Sequence, residues 1–268
     1  MTSYQASSLF DVAGKVVLVT GGSRGIGKMI ATGFVKNGSK VYISSRSAKD
    51  CEATAQELTA AGPGVCIPIP ADMQKLEEVD RLVKELSVRE KALHVLVNNA
   101  GATWGATLED YPRVFTLTQK CLPLLREAAE QGGMDGDVYH DPARIINVGS
   151  IEGLIVPMHE TYAYSASKAG LHQLSRHLAG RLGPEGITSN TLACGPFESK
   201  MMAQTLKELG DSIRAMIPLG RIGTPEDVAG ACIFLASRAG AWVTGATIQV
   251  DGGSIVQMGP RPPSGAKL

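Results

Sequence analysis

A tyrosine and a lysine four residues apart are well suited, among the side chains of this sequence, to move a proton. Tyr164 and Lys168 stand in "YSASK", and on a predicted helix this spacing places both on one face. A phenol has an ordinary pKa of about 10, and a neighbouring ammonium is expected to lower that pKa by favouring the phenolate. The pair therefore predicts acid–base chemistry at neutral pH. Tyr162 has no such partner, since Ala166 stands four residues after it.

A serine follows the predicted strand "RIINVG" at 144–149. Ser150 stands in "NVGSIEG", at the carboxyl end of that strand. In an open parallel sheet, ligands collect at the carboxyl ends of the strands. The Ser150 hydroxyl is therefore expected to hold a substrate carbonyl beside the tyrosine oxygen.

A glycine-rich loop follows the first predicted strand. The run "KVVLVT" at 15–20 leads directly into "TGGSRGIG", in which Gly21, Gly25 and Gly27 precede a helical pattern. Glycines at this place let backbone N–H groups approach a pyrophosphate, which a β-carbon would obstruct. A tight strand-to-helix turn would explain the glycines alone, but a strand before them and a helix after them favour a dinucleotide site.

These residues need a scaffold of alternating strands and helices. Short apolar runs predict strands at 15–20, 40–45, 65–69, 93–98, 144–149, 187–193 and 246–251. Helical patterns occur near 25–37, 49–61, 75–88, 113–131, 162–183 and 225–237. The alternation predicts an α/β fold with a Rossmann-like, doubly wound, parallel seven-stranded sheet. One domain is expected over 1–255, followed by a flexible Pro/Gly-rich tail at 256–268.

Composition narrows the class of protein. The chain has 268 residues, of which 44% are hydrophobic, enough for a substantial core. Lys and Arg balance Asp and Glu at 26 each, so neither nucleic acid nor a membrane is an expected partner. The sequence shows no signal peptide and no apolar run of about 18 residues, so a cytoplasmic protein is expected. The ending Ala266-Lys267-Leu268 resembles a peroxisomal tripeptide and keeps that address open.

No metal site is expected. The five cysteines are odd in number and include no CxxC pair, so they are interpreted as buried thiols. Three histidines are interpreted as ordinary helix or loop residues because no second ligand is suitably spaced: His159, His172 and His177.

The motifs together resemble the classical branch of the short-chain dehydrogenase/reductase family. The resemblance extends from about residue 12 to about residue 255 and is carried by "TGGSRGIG", "NNAG", a serine before "YSASK", and a late "DGG". Within the family, "AGATWGATLEDYP" and "YAYSASKAGLHQLSR" are similar to β-ketoacyl reductases of the rhamnolipid-biosynthesis type. The resemblance implies that a carbonyl accepts hydride from a nicotinamide cofactor. Tyr164 then protonates the carbonyl oxygen, Ser150 polarises it and Lys168 binds the nicotinamide ribose.

Charge at the second strand indicates which cofactor binds. An NAD site usually has an acidic residue there, whereas a 2′-phosphate needs a cation. This chain has Ser44, Ser45 and Arg46 at the strand end and Arg24 in the glycine loop. Two guanidiniums near one phosphate predict NADP(H).

The resemblance also implies a set of cofactor contacts. Asp72 resembles the family residue that binds the adenine, and the turn from Asn98 to Gly101 resembles the one beside the adenosine ribose. In "ACGPFES", Cys194 stands where the family usually has proline, and Gly195 is retained. The full expected set is Gly21, Ser23, Arg24, Gly25, Ile26, Gly27, Arg46, Asp72, Asn98, Ala100, Gly101, Tyr164, Lys168, Gly195, Phe197 and Ser199.

A methionine-containing segment is expected to cover the substrate. The family has a mobile lid here, and "SKMMAQTLKELGDSIRAMIPLG" supplies Met201, Met202 and Met216, which adapt to apolar shapes. A small, apolar carbonyl or alcohol substrate would suit a lid with these methionines, such as a 3-oxoacyl thioester or a secondary-metabolite ketone. A lid packed on its own core is the alternative.

The stretch "TLEDYPRVFTLTQ" at 107–119 departs from the family. The family helix here holds an Asn that supports the proton relay, and this chain has no Asn between Asn99 and Asn147. On the order of a dozen residues are expected to be missing between Pro112 and Arg113. A coding-sequence error or splice variant and a real deletion both stay open. A non-catalytic or impaired homologue, or an alcohol dehydrogenase, is the alternative function. The expected homo-oligomer, a dimer or tetramer, would be weakened by a shortened 102–131 region.

Overall fold

The computed structural model describes residues 4–100, 111–157, 160–200 and 202–256, with side chains of the fifth helix described from residue 114. Its main feature is a parallel sheet of seven strands in the order β3-β2-β1-β4-β7-β8-β9. The strands are β1 Val16–Thr20, β2 Lys40–Ser44, β3 Val65–Pro68, β4 Val95–Asn98, β7 Ala143–Ser150, β8 Ile187–Cys194 and β9 Thr247–Val250. All seven predicted strands are confirmed. The short antiparallel pair β5 Met134–Asp135 and β6 Val138–Tyr139 was not predicted.

Helices cover both faces of this sheet. They are α1 Ala6–Leu9, α2 Gly25–Lys36, α3 Ala48–Ala61, α4 Leu76–Arg89, α5 Tyr111–Gln131, α6 Tyr162–Leu182, α7 Ala203–Met216 and α8 Pro225–Ala236. One core cluster joins the sheet to α2, α3 and α8, and the other joins it to α4, α5 and α6. The predicted α/β, doubly wound fold is confirmed. In the described part of the chain, no helix combines the length and apolarity that a membrane span requires.

The strand order reverses between β1 and β4. From β1 the chain proceeds outward through β2 to β3, and from β4 it proceeds the other way through β7. In such sheets the crevice outside the carboxyl ends, at the reversal, is where ligands bind. Thr20 and Asn98 end the two strands at this point, so the segments after them border the expected ligand site.

The α5 helix confirms the predicted later part of the shortened region. It begins at Tyr111 and continues to Gln131 with Pro123 inside it. Of the apolar residues that follow helical spacing here, Leu117, Cys121, Leu124 and Ala128 are buried and Val114 is partly buried. Residues 101–110 lie outside the described part, so the beginning of the departing stretch is not placed.

All five cysteines are buried free thiols, as predicted. They are spread over the fold: Cys51 on α3, Cys66 on β3, Cys121 on α5, Cys194 on β8 and Cys232 on α8. Burial raises the pKa of the Cys121 and Cys194 thiols to about 12. These groups are therefore neutral and unreactive in the folded protein.

A buried polar network joins the sheet to α5 and α6. Asn98 Nδ2 donates to Asn147 Oδ1 at 3.0 Å and to Thr118 Oγ1 at 3.3 Å. Asn147 Nδ2 in turn donates to Ser175 Oγ at 3.1 Å. Because each group is removed from water, losing one partner leaves the others unsatisfied. The network therefore fixes where both helices lie on the strands that end at the crevice.

We predict that Asn147→Ala lowers the free energy of unfolding by about 2 kcal/mol, since it leaves buried donors and acceptors unpaired. Urea denaturation of the purified protein measures this change. Ser87→Ala is the matched control, because the Ser87 hydroxyl donates to a helix carbonyl at an exposed position. The control is expected to change the unfolding free energy by less than about 0.5 kcal/mol. Equal effects of the two substitutions would contradict a role for the network.

Candidate active site

The glycine loop after β1 forms a backbone cradle. Gly21 and Gly25 have φ values of 65° and 53°, which L side chains rarely adopt. A β-carbon at Gly27 would lie 2.3 Å from the carbonyl oxygen of Gly21. The loop and the N-terminus of α2 can therefore present their N–H groups only because these positions are glycines. This geometry fits a pyrophosphate.

Asn99 holds the loop in place and was missed in the sequence. Its side chain donates to the carbonyl oxygens of Thr20 at 2.9 Å and Gly21 at 3.2 Å. The hydroxyl of Thr20 accepts from the backbone N–H groups of Asn99 and Ala100, each at 3.0 Å. The motif "NNAG" was the available signal, because it follows the strand beside β1.

The side chain of Asn98 points into the protein, so its predicted place beside the cofactor concerns the backbone of the turn. Asn98 is buried and its amide is committed to Asn147 and Thr118, so the side chain is not available to a cofactor. Ala100 lies at the loop and is partly exposed. Gly101, the last member of the predicted turn, lies outside the described residues.

The cationic residues lie at the same end of the sheet as the glycine loop. Gly22 N donates to the Ser44 carbonyl oxygen at 3.2 Å, which joins the loop to the end of β2. Arg24 and Arg46 each follow this junction by two residues and are exposed. Neither guanidinium has an ion-pair or hydrogen-bond partner among the described residues. Both are therefore free to bind a phosphate.

Two further predicted cofactor residues lie beside the loop and the adjacent strand. Ser23 is held by its carbonyl oxygen, which accepts from Thr54 Oγ1 on α3 at 3.0 Å. Ile26, in the first turn of α2, packs against the core. Asp72 follows β3 and its carboxylate accepts from Gln74 N at 3.0 Å.

Ser150, Tyr164 and Lys168 come together at the carboxyl end of β7. The structure places Ser150 as the last residue of the strand, with Tyr164 and Lys168 in the first two turns of α6. Lys168 Nζ donates to the Val148 carbonyl oxygen at 2.9 Å and lies 5.6 Å from the centroid of the Tyr164 ring. The ammonium is therefore anchored to the strand beside the phenol.

Burial controls the ionisation of the pair. Burial raises the pKa of Tyr164, and a hydrogen bond with the Ser150 side chain opposes that rise. Burial also lowers the pKa of Lys168. The net direction for Tyr164 is upward, because desolvation outweighs the contact with Ser150. A lowering of this pKa by the Lys168 ammonium stays a prediction.

The three residues expected near the nicotinamide lie in different surroundings. Gly195 follows β8 and a β-carbon there would lie 2.8 Å from Asp251 Cα, so the chain is closely packed at this point. Ser199 lies beside the glycine loop, with its Cβ 3.5 Å from a β-carbon built on Gly25. The Phe197 side chain is buried against Gly223, so the predicted cofactor contact of Phe197 would have to come from its backbone.

The α7 helix is only partly buried against the rest of the protein. Gly210 is the buried residue of α7, while Leu209 and Met216 are each 45% exposed. Met202 lies before the helix, with its N–H donating to Ser199 at 3.0 Å, and Met201 lies outside the described residues. Leu206 and Ile213 are partly buried, so the mobile lid and its alternative, a lid packed on its own core, both stay predictions.

His172 is more deeply buried than an ordinary helix residue. Its side chain is 1% exposed, and neither ring nitrogen has a hydrogen-bond partner within the described ranges. Burial lowers its pKa to about 4, so the imidazole is neutral at physiological pH. His177 is exposed, and His159 lies outside the described residues. Over the residues described, no group of three or more His, Cys, Asp or Glu could hold a metal ion.

The doubly wound sheet, its glycine cradle and the tyrosine–lysine pair define a class of dinucleotide-binding oxidoreductases. A family model described as enoyl-(acyl carrier protein) reductase matches residues 21–254. A Diaporthe leptostromiformis short-chain dehydrogenase/reductase, PhomF, is 34% identical, over 93% of this chain and 94% of its own. The chain belongs to the short-chain dehydrogenase/reductase family.

Some relatives within this family are named for reactions on acyl substrates. The rhamnolipids biosynthesis 3-oxoacyl-(acyl-carrier-protein) reductase of Pseudomonas aeruginosa is 43% identical, over 91% of this chain and 97% of its own. A solved structure of Pseudomonas aeruginosa RhlG in an active-site complex with NADP matches with a TM-score of 0.84 and 42% identity. The match covers 92% of this chain and 98% of that one.

The first of these alignments also bears on the shortened region. It extends over 259 residues, yet 91% of a chain of 268 residues is fewer than that. The Pseudomonas protein therefore has residues without a counterpart in this chain. This agrees with a shortening relative to the family.

Proposed function

We propose that the protein is an NADPH-dependent carbonyl reductase in which Ser150, Tyr164 and Lys168 act on the substrate carbonyl. The observation that carries the proposal is the placement of these three side chains at the carboxyl end of β7. The glycine cradle lies at the end of β1, on the same edge of the sheet. Binding of NADP by the solved Pseudomonas structure supports the choice of cofactor.

The cofactor fits the residues that would hold it. The glycine loop would bind the pyrophosphate, Arg24 and Arg46 the 2′-phosphate, and Lys168 the nicotinamide ribose. When bound, the reduced cofactor supplies a hydride to the carbonyl carbon. The chain's own residues must then orient the carbonyl and provide a proton.

Ser150 and Tyr164 supply these two functions. The Ser150 hydroxyl donates a hydrogen bond to the carbonyl oxygen, which stabilises the negative charge that develops there. Tyr164 Oη–H transfers its proton to the same oxygen, so that an alcohol forms and a phenolate remains. The ammonium of Lys168 stabilises that phenolate in a site from which water is largely excluded.

We infer an apolar substrate, a 3-oxoacyl thioester or a secondary-metabolite ketone. Exposed apolar side chains follow Ser150 directly: Leu154 and Ile155 are 40% and 39% exposed, and Val156 is 94% exposed. Such side chains at a site edge provide favourable burial for an acyl chain. The name of the Pseudomonas relative supports the thioester.

The oxidative direction is a second candidate. A relative from Scheffersomyces stipitis, 34% identical over 91% of this chain, is named L-rhamnose-1-dehydrogenase. The same three side chains serve that direction if Tyr164 accepts the alcohol proton as a phenolate. Assaying both a ketone panel with NADPH and an alcohol panel with NADP⁺ separates the two.

A non-catalytic or impaired homologue is the third candidate, favoured by the residues missing relative to the Pseudomonas protein. It gains support if the protein binds NADPH but turns over neither panel. Reading the transcript across the codons for Tyr111 to Val114 tests whether the shortening is real, since an intervening segment would show an incomplete sequence.

We also infer that copies of the chain associate. Trp242 is 97% exposed and Phe115 on α5 is 46% exposed, which favours burial between subunits. Size-exclusion chromatography with light scattering is expected to give a dimer or tetramer. A strictly monomeric protein would overturn this inference.

We predict that the protein binds NADPH more tightly than NADH. Removing both guanidiniums in Arg24→Ala/Arg46→Ala should weaken NADPH binding roughly tenfold or more, since a hydrogen bond to a charged group contributes about 1.5 to 3 kcal/mol. Cofactor fluorescence titration measures both affinities. Arg176→Ala on the exposed side of α6 is the control and should leave both unchanged. Equal wild-type affinities for the two cofactors would remove the role assigned to the arginines.

We predict that Tyr164→Phe lowers kcat for carbonyl-dependent NADPH oxidation at least roughly 100-fold, because it removes the proton donor. NADPH affinity should stay within about twofold of wild type, since the ring is retained. Tyr162→Phe is the matched control, because Tyr162 lies two residues earlier on α6 and is 76% exposed. Turnover retained in the Tyr164 variant would show that the proton comes from another group.

A further inference from the structure

The buried His172 lies on α6, close to the residues on either side of Ser150. It follows Lys168 by four residues on α6, as Lys168 follows Tyr164, so the three side chains share one face of the helix. The end of β7, which carries Ser150, packs against this face. The imidazole therefore packs where the helix meets the strand.

Two glycines around Ser150 make room for this ring. A β-carbon at Gly149, the residue before Ser150, would lie 2.3 Å from His172 Nε2. A β-carbon at Gly153, in the 3-10 turn after Ser150, would lie 2.8 Å from His172 Cε1 and 2.8 Å from Ala169 N. The ring thus contacts the backbone on both sides of Ser150.

Hydrogen bonding does not explain why a histidine occupies position 172. Both ring nitrogens are buried without a partner in the part of the chain that the structure describes. Leaving a buried polar group unpaired costs about 1 to 3 kcal/mol, so an aliphatic side chain would be less costly at this position. An unpaired polar side chain in a native core needs an explanation. The glycine contacts suggest shape as the explanation, because a flat ring fits into the narrow space beside Gly149 and Gly153.

We propose that His172 is a positioning residue, whose ring fixes Ser150 relative to Tyr164 and Lys168 through its contacts with Gly149 and Gly153. The inference rests on the proposed catalytic roles of those three side chains. It adds a residue that touches neither substrate nor cofactor.

The consequence of this role is a change in the ionisation of Tyr164. The groups that face Tyr164 are Ser150 and Glu152 from the strand end and the turn, Cys194 from β8, and Lys168 from its own helix. Burial raises the pKa of Tyr164, and the Ser150 hydrogen bond lowers it. If Ser150 moves away, the hydrogen bond weakens and the pKa of Tyr164 rises.

The experiment compares pH profiles of kcat for the wild type and His172→Ala. Carbonyl reduction needs the protonated phenol, so the alkaline limb should move to higher pH in the variant. Alcohol oxidation needs the phenolate, so its onset should move the same way. We expect kcat at neutral pH to fall roughly 10- to 100-fold, as for a misplaced catalytic group, while the KM for NADPH stays within about twofold. If His172→Ala does not fold, His172→Asn, which shortens the flat side chain, provides the same readouts.

Two comparisons separate positioning from loss of stability. In a Ser150→Ala background, adding His172→Ala should move the pH profile no further, because Ser150 is the group through which His172 acts. Leu178→Ala, on the same helix and 8% exposed, should lower stability without moving the profile. A wild-type profile in the His172 variant, additive shifts in the double variant, or an equal shift for Leu178→Ala would overturn the inference. Retained activity in Ser150→Ala and Tyr164→Phe would instead overturn the proposed function.

Discussion

Close approach of two backbone segments at the reversal of the strand order is the constraint on which the site depends. The loop after β1 and the segment after β4 meet there, and the amide of Asn99 bonds the carbonyl oxygens of Thr20 and Gly21. A β-carbon at Gly27 would lie 2.4 Å from that amide nitrogen, so the loop can close only without a side chain. The strand order brings these two segments together, and the glycine cradle and the neighbouring cations lie at their meeting point.

The α6 helix presents the proposed catalytic pair and two buried side chains along one face. Tyr164 and Lys168 are partly buried, and His172 and Ser175, further along the helix, are each 1% exposed. Burial raises the pKa of Tyr164 and lowers the pKa of His172, which keeps the His172 imidazole neutral. Ser175 then joins the asparagine network of the sheet. The helix that carries Tyr164 is thus held in position by buried hydrogen bonds at Ser175.

Periodicity predicted the elements well because it reports burial on a sheet or a helix face. The seven strands and α2 to α6 and α8 appear close to the predicted bounds, as Tyr164 and Lys168 do on their shared face. Periodicity does not give the directions in which neighbouring side chains point at a strand end. Asn98 and Asn99 are adjacent, yet one turns to α5 and the other to the glycine loop, a choice set by where the strand ends. The sequence also could not give the sign of the net effect on the Tyr164 pKa, since that depends on depth of burial rather than spacing.

The distribution of the five buried thiols gives the fold an internal set of reporters. Each lies on a different element, from Cys51 on α3 and Cys66 on β3 to Cys121 on α5, Cys194 on β8 and Cys232 on α8. A thiol reagent reacts with the thiolate and needs access, so a buried cysteine is labelled only when its surroundings open. The order in which the five are alkylated, followed by mass spectrometry without any engineered label, therefore maps which parts of the domain open first.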